Sequence, residues 1–311
     1  MEKRYNAFSE HLKQKFGAKV YKITLDAGFS CPNRDGTISN CGCIFCDDGG
    51  SFSQAHSNLL SIEEQVNTGA ETLKTRFGAQ KFMSYFQAFS NTYKPVNELE
   101  KIYKASLNHP DIVGLSIGTR PDCVDKDKLN LISSFTSDYY TWIEYGLQSV
   151  HNKTLLKINR GHDYKCFLEA YEKTKNTGIN ICLHVILNLF ETYDEMMETA
   201  QTIAKLEPEG VKIHMLCALE GTRIADMFRA GELEFMSQDE YVSIVCDFLE
   251  YLPPQTTIHR LAGNGLRTEL VAPRWIGKKL DTLNRIDREF LRRNSKQGSK
   301  YLPVLPLSKP Y

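Results

Sequence analysis

Four cysteines fall within sixteen residues near the N-terminus, in the run Cys31-Pro-Asn-Arg-Asp-Gly-Thr-Ile-Ser-Asn-Cys41-Gly-Cys43-Ile-Phe-Cys46. The run directly follows a strand-like segment, Lys19 to Leu25. Thiolates separated by two residues can turn toward one ion or cluster, and a third from across a Gly-containing loop adds a ligand without a helix to hold it rigid. Three cysteines leave one coordination position free. Other polar residues recur where strand-like runs end: Gln87, Arg120, Gln148, His184, Asn188 and His214. Glu144 and Gly146 share one face of a strand-like run, since side chains alternate along a strand. A carboxylate facing inward there is buried and must find a cation or a donor, and a bound amine would serve.

The elements that position these residues are legible from periodicity. Short β-branched or aromatic runs, Val20 to Leu25, Phe82 to Phe89, Ile112 to Ile117, Tyr140 to Leu147, Ile179 to Leu187 and Val211 to Leu216, make six expected strands. Between them, Ile62 to Phe77, Val96 to Leu107, Lys126 to Phe135, Tyr164 to Lys175 and Tyr193 to Leu206 show the apolar spacing of helices. Ser61 with Glu64 and Thr192 with Glu195 have the spacing of capping boxes. Repeated βα units with right-handed crossovers give a barrel or a doubly wound sheet. The absence of GxGxxG and Walker motifs counts against a nucleotide-binding open sheet. A helix over Gln238 to Tyr251, a break at Pro253-Pro254 and a short strand at Thr257 to Leu261 follow. The tail carries a helical stretch, Leu280 to Arg293, and then Pro303, Pro306 and Pro310. We read an α/β core over 1–260 and a basic C-terminal extension over 261–311 packed on it.

Hydrophobic content of 41% and charged content of 24% are those of a globular protein with a sizeable core. Nine unevenly spaced cysteines and no signal-peptide pattern argue against a secreted disulfide framework and for a cytoplasmic protein. The longest apolar run, Ile179 to Phe190, contains His184 and Asn188 and reads as a buried strand, so no membrane role is visible. Net charge is zero, yet the segment from Arg260 onward holds twelve Lys or Arg against four Asp or Glu. Such asymmetry points to an anionic partner for the C-terminal part or, alternatively, to a solvated helix face. The cations concerned include Arg274, Lys278, Lys279, Arg285, Arg288, Arg292, Arg293, Lys296 and Lys300.

The cysteine loop with an aromatic before its last cysteine, followed by six βα units, resembles the radical S-adenosylmethionine (SAM) superfamily. More closely, Gly28-Phe-Ser-Cys-Pro-Asn-Arg-Asp-Gly-Thr37, Gly42-Cys-Ile-Phe-Cys-Asp-Asp-Gly-Gly-Ser-Phe52 and Glu144-Tyr-Gly-Leu-Gln-Ser149 resemble its YhcC-like branch. The core of that branch is similar to the radical SAM domain of the Elongator catalytic subunit. The resemblance covers about Lys19 to Leu261 and implies a partial (βα)6 TIM-like barrel. It implies a [4Fe-4S] cluster on Cys31, Cys43 and Cys46, with the fourth iron open to the amino and carboxylate groups of SAM. A Cys-Gly-Cys pair can hardly place both thiolates on separate cluster corners, so Cys41 is read as a structural or incidental thiol. Phe45 is expected near the adenine. Gln148 and Arg160 match a Gln and Arg, twelve apart, that contact SAM in related members.

The glycine-rich element after strand two is here Phe86-Gln-Ala-Phe-Ser-Asn91, and Gly118 stands where related enzymes have an acid, so Glu144 or Gln87 is expected to take over amine binding. His184 matches an acid of related members and either meets the SAM ribose or is a satisfied core histidine; His214 has the same two readings.

The implied function is reductive cleavage of SAM to a 5′-deoxyadenosyl radical that abstracts hydrogen from an unactivated carbon. The Elongator likeness and the basic extension extend this to a tRNA wobble uridine as substrate, with flavodoxin or ferredoxin as electron donor. A small metabolite is the rival substrate. A reading from another class is a non-catalytic nucleic-acid-binding protein with a four-cysteine zinc module.

Overall fold

The strand-like runs pair in chain order into one parallel sheet. The structure, a computed structural model, describes residues 3–47, 49–50, 60–263 and 269–303. The motif residues from 51 and the tail residues Pro306 and Pro310 lie outside the described residues. The elements are α1 (Phe8–Phe16), β1 (Val20–Leu25), α2 (Ile62–Phe77), β2 (Lys81–Phe86), α3 (Val96–Ala105), β3 (Ile112–Thr119), α4 (Lys126–Ser133) and β4 (Tyr140–Gln148). They continue with α5 (Asn152–Lys157), α6 (Tyr164–Thr174), β5 (Asn180–Leu187), α7 (Tyr193–Leu206), β6 (Gly210–Met215), β7 (Ala218–Leu219) and α8 (Arg223–Arg229). The last are α9 (Gln238–Tyr251), β8 (Thr257–Arg260), β9 (Leu270–Ala272) and α10 (Lys279–Arg292).

Seven parallel strands lie in the order β1-β2-β3-β4-β5-β6-β8, and the two outer strands do not pair with each other, which leaves a curled half-barrel. The expected fold class holds, with β8 as the seventh strand. The small antiparallel pair β7 and β9 stands apart. Capping boxes at Ser61, Thr192 and also Ser237 start α2, α7 and α9. The expected second strand stops at Phe86, short of Phe89, because Asn91 turns back and bonds the Gly118 carbonyl at the end of β3 through both its backbone N–H, at 3.1 Å, and its side-chain amide, at 2.7 Å. Gln87 therefore sits just beyond the strand.

The main core lies between the sheet and its helices, built on Phe86, Tyr103, Leu115, Tyr145, Phe167 and Ile203. A smaller cluster, Phe8, Leu12, Met83, Trp142 and Cys182, closes the N-terminal end of the barrel interior. Here α1 spans the two sheet edges: Ala7 bridges Ile258 in parallel, and the Phe8 ring stacks on His259 at 3.7 Å between centroids. No described helix is long and apolar enough to cross a membrane.

Candidate active site

The inward face of the sheet and the loops at its C-terminal edge enclose a cavity of about 370 Å³, a size suited to a small-molecule ligand. In parallel α/β barrels this edge collects functional groups. Cys31, Cys43 and Cys46 all line the cavity, with Phe45, Gln87, Arg120, Glu144, Gln148, Arg160, His184 and His214. Cys41 is exposed and lies off the wall.

The cysteine loop has no regular structure, so single contacts pin it. The Ile44 N–H donates to the Ile158 carbonyl after α5 at 3.1 Å, and the Ile224 N–H at the start of α8 donates to the Ile44 carbonyl at 3.0 Å. The Ile44 side chain is buried with Leu155 and Ile158. Arg34 bonds the Cys46 and Asp47 carbonyls at 3.2 and 2.9 Å. Asn159 donates to the Gly42 carbonyl at 2.7 Å, while Asn33 donates to the Asn159 carbonyl at 2.7 Å. The short helix α5, which the sequence reading missed, thus ties the loop to the segment carrying Arg160.

Gln148 reaches the cavity through a bulge: the register of β4 against β5 shifts between Gly146 and Gln148, and Gln148 takes φ 71°. A non-glycine residue in the left-handed region costs about 1 kcal/mol and persists where surrounding contacts fix it. Arg160 lies under it, donating to the Gly146 carbonyl at 2.6 Å and to Cys43 Sγ at 3.5 Å. Residue 146 must be glycine for this, because a Cβ there would lie 2.5 Å from Arg160 Nη2. Arg120 holds Asp122 in a two-pronged pair at 2.8 and 2.6 Å and donates to the Arg160 carbonyl at 2.8 Å. Burial pushes the Cys31 thiol up, and Arg120 opposes the shift.

Two observations test whether this end fits a cluster and a polar ligand. Gln148 Oε1 and Arg160 Nε are buried without a hydrogen-bond partner among the described residues, a cost of about 1–3 kcal/mol each that a ligand would remove. Cys31, Cys43 and Cys46 share one cavity wall while Cys41 is exposed away from it, a set of three thiols that fits an iron–sulfur cluster with one iron left open.

Deeper in the barrel the picture differs from expectation. Glu144 is fully buried, but the chain itself supplies its cations. Oε1 is paired with Lys22 and accepts from Ser116 at 2.6 Å. Oε2 accepts from His184 at 2.6 Å, Lys212 at 3.1 Å and Tyr85 at 3.2 Å. Its carboxyl is held well below the usual range, with Lys212 and Lys22 outweighing the opposing effect of burial. Five donors of the chain already meet its two oxygens, and Gln87, the other residue expected to meet a ligand amine, also lines the cavity. His184 is held on Glu144, and burial, reinforced by Lys212, lowers it to about 4, so the ring is a neutral donor that also faces the cavity. His214 lies 5.3 Å from it, ring to ring, and burial keeps it neutral as well. The trio Glu144, Cys182 and His184 is close enough to hold an ion, but the two lysines already neutralise its carboxylate. The sequence reading missed Lys22, Lys212 and Arg260, for which the signal available was a charged residue inside an otherwise strand-like run, and Tyr85, which carries no such signal.

The nine cations singled out in the extension divide. Arg285 pairs with Asp239 and Asp281, Arg293 with Asp247 and Glu289, Arg292 with Glu289 and Lys300 with Glu250, so four of the nine are paired with acids of α9 or α10. Arg274 and Lys278 are exposed on either side of Ile276, which lines the cavity.

Family models match in two blocks. The Radical SAM superfamily model matches residues 31–203, and the Radical_SAM C-terminal domain model matches residues 208–292, across residue 260. The Bacillus subtilis protein YtqA is 42% identical over 298 residues, covering 96% of this chain and 92% of that one. Escherichia coli K12 YhcC is 35% identical over 301 residues, covering 96% of each. Human Elongator complex protein 3 is 26% identical over 179 residues, covering 55% of this chain and 31% of that one. The solved structure of the archaeal Methanocaldococcus infernus Elp3 superposes with a TM-score of 0.68 at 16% identity, covering 89% of this chain and 64% of that one.

Proposed function

The chain belongs to the radical SAM superfamily, and on that premise we propose that it modifies the wobble uridine of a tRNA, holding its cluster on Cys31, Cys43 and Cys46 and its SAM against Gln148 and Arg160. Enzymes of this family use a [4Fe-4S] cluster and SAM: held here, the reduced cluster would supply one electron to SAM, with methionine as the leaving group and a 5′-deoxyadenosyl radical to take a hydrogen atom from the substrate. The observation that carries the site assignment is the meeting of three thiols with two unpartnered polar atoms, Gln148 Oε1 and Arg160 Nε, on one cavity wall. Arg160 offers a planar guanidinium suited to a carboxylate, and its bonds to Gly146 and Cys43 hold it in place. Phe45 and Gln87 complete that wall. The strands below exclude water, and an external donor such as flavodoxin or ferredoxin provides the electron.

The tRNA reading is supported by the likeness to Elongator complex protein 3 in sequence and fold. It is also supported by the exposed Arg274 and Lys278, two positions on either side of the cavity-lining Ile276, which could meet phosphates of a polyanion. The test compares modified nucleosides in tRNA from cells with and without the gene, then repeats the comparison with Cys43→Ala in its place. The expected result is that one wobble-uridine species disappears and its precursor accumulates in both mutants. Unchanged tRNA nucleosides in both would overturn the tRNA reading in favour of a small-molecule substrate.

A further inference from the structure

The charges at the two depths of the cavity do not balance in the same way. Among the described residues lining it, the carboxylates are Asp47, in the cysteine loop, and Glu144. Around Glu144 stand Lys22 from β1, Lys212 from β6 and Arg260 from β8. Lys212 and Arg260 are register partners on adjacent strands, so their side chains leave the same face of the sheet. Lys22 and Lys212 are both bonded to Glu144. Arg260 has no hydrogen bond or ion pair among the described residues and stands close enough to Lys279 to lower that ammonium, after burial, through like-charge repulsion. Burial keeps His184, His214 and His259 neutral, so they do not change the count. The inner end thus carries three cations against one carboxylate, and SAM, a cation at its sulfur, does not correct the excess.

We infer that the inner end of the cavity is an anion subsite in which Arg260, with Lys212 beside it, receives a carboxylate carried by the substrate. A guanidinium free on its two-nitrogen edge matches a carboxylate's two oxygens. The subsite lies within the strands, which a polynucleotide backbone cannot enter, whereas a substituent on one extruded base or a small molecule can. The depth assignment rests on the proposed placement of the cofactor at the thiol end; the charge excess does not.

Lys212 adds a pH signature. Burial lowers its ammonium to about 8, with Glu144 opposing and Arg260 and Lys22 pushing further down. The other groups facing it keep their charge states near that pH: Glu144 is anionic, while Tyr85, Cys182 and His184 are neutral. Anion binding is therefore expected in full below that pH and weaker as pH rises through it.

The experiment uses the full chain without SAM or reductant and follows thermal unfolding in acetate or malonate, with inorganic phosphate and chloride at equal ionic strength as the other arms. The expected result is a saturable rise in Tm with the carboxylates that fades above about pH 8. In Arg260→Gln the apparent carboxylate affinity should be at least tenfold weaker, while its Tm in chloride should equal or exceed that of the unmodified protein, because an unpaired cation has been removed. Arg260→Lys, which keeps the charge and loses the fork, should fall between the two and also serves if Arg260→Gln does not fold. Equal carboxylate stabilisation in both variants and the unmodified protein, or a response to phosphate alone, would overturn the proposal. Since no step needs the cluster, a negative result here leaves the radical SAM reading standing.

Discussion

The thiol end and the inner end of the cavity are built on opposite plans. At the thiol end the functional groups ride on loops, the backbone is strained at Gln148, and polar atoms of Gln148 and Arg160 have no partner among the described residues. At the inner end they ride on strands, and Glu144 is saturated by Lys22, Lys212, His184, Ser116 and Tyr85. Strands fix side chains in register and let charges satisfy one another during folding. Loops held by a few bonds leave valences for groups that arrive later. The difference separates the Glu144 network, which the chain completes alone, from groups such as Gln148, Arg160 and Arg260 that need a partner from outside.

Substitutions should therefore act on metal content at the thiol end and, within the Glu144 network, on folding. The largest effect is expected from Cys31→Ala, Cys43→Ala and Cys46→Ala, each of which should abolish cluster assembly, whereas Cys41→Ala should keep it. Iron per chain and visible absorbance after anaerobic reconstitution decide this, and a cluster lost with Cys41→Ala but kept with Cys31→Ala would reverse the assignment. Next, Glu144→Gln should destabilise the fold by about 3–5 kcal/mol, because it strands two ammonium groups in the interior. Thermal unfolding should show Tm falling by roughly 10 °C, and an unchanged Tm would mean that solvent screens the lysines.

Third, Arg160→Ala, Gln148→Ala and Gly146→Ala, the last by displacing Arg160, should retain iron but bind SAM roughly tenfold or more weakly, since a charge-assisted hydrogen bond is worth about 1.5–3 kcal/mol. Isothermal titration with SAM measures it, and unaltered affinity in all three would move the SAM site elsewhere. Smallest, Arg292→Gln at the end of α10, whose exposed side chain pairs with Glu289, should leave Tm nearly unchanged because solvent screens such a pair, and should leave tRNA binding unchanged. By contrast, Arg274→Gln with Lys278→Gln should weaken tRNA binding and flatten its salt dependence. A salt titration giving the opposite ranking would return the phosphate contacts to α10.

The strands and helices were largely legible, since period and capping residues are local: α2, α7 and α9 begin and end where apolar spacing and their Ser or Thr caps place them. The cysteines were legible as a group because their chemistry is written in their spacing. What could not be read was which groups meet across the barrel. Lys22 and Lys212 are separated from Glu144 by 122 and 68 positions, and nothing local marks a lysine in a strand as facing inward. The expectation of an amine ligand at Glu144 was formed without sight of these internal cations. Composition counts charges but not their partners: Asp239, Asp247 and Glu250 on α9 lie earlier in the chain and pair with two arginines and a lysine that follow them.

The helix that spans the two sheet edges sets the smallest unit that can fold. An open parallel sheet ends in two strands with unpaired backbone groups, and such edges recruit other chains. Here Ala7 lies along the β8 edge, and Phe8 caps the interior beneath Lys22, whose ammonium stands 5.1 Å from its ring centre. The superfamily match begins at residue 31. A fragment trimmed to that boundary would lose α1, β1 and Lys22 together, leaving β2 as a bare edge and Glu144 short of one of its cations. Such a fragment should aggregate with all its cysteines in place, so solubility in this protein depends on residues that precede its cysteine motif.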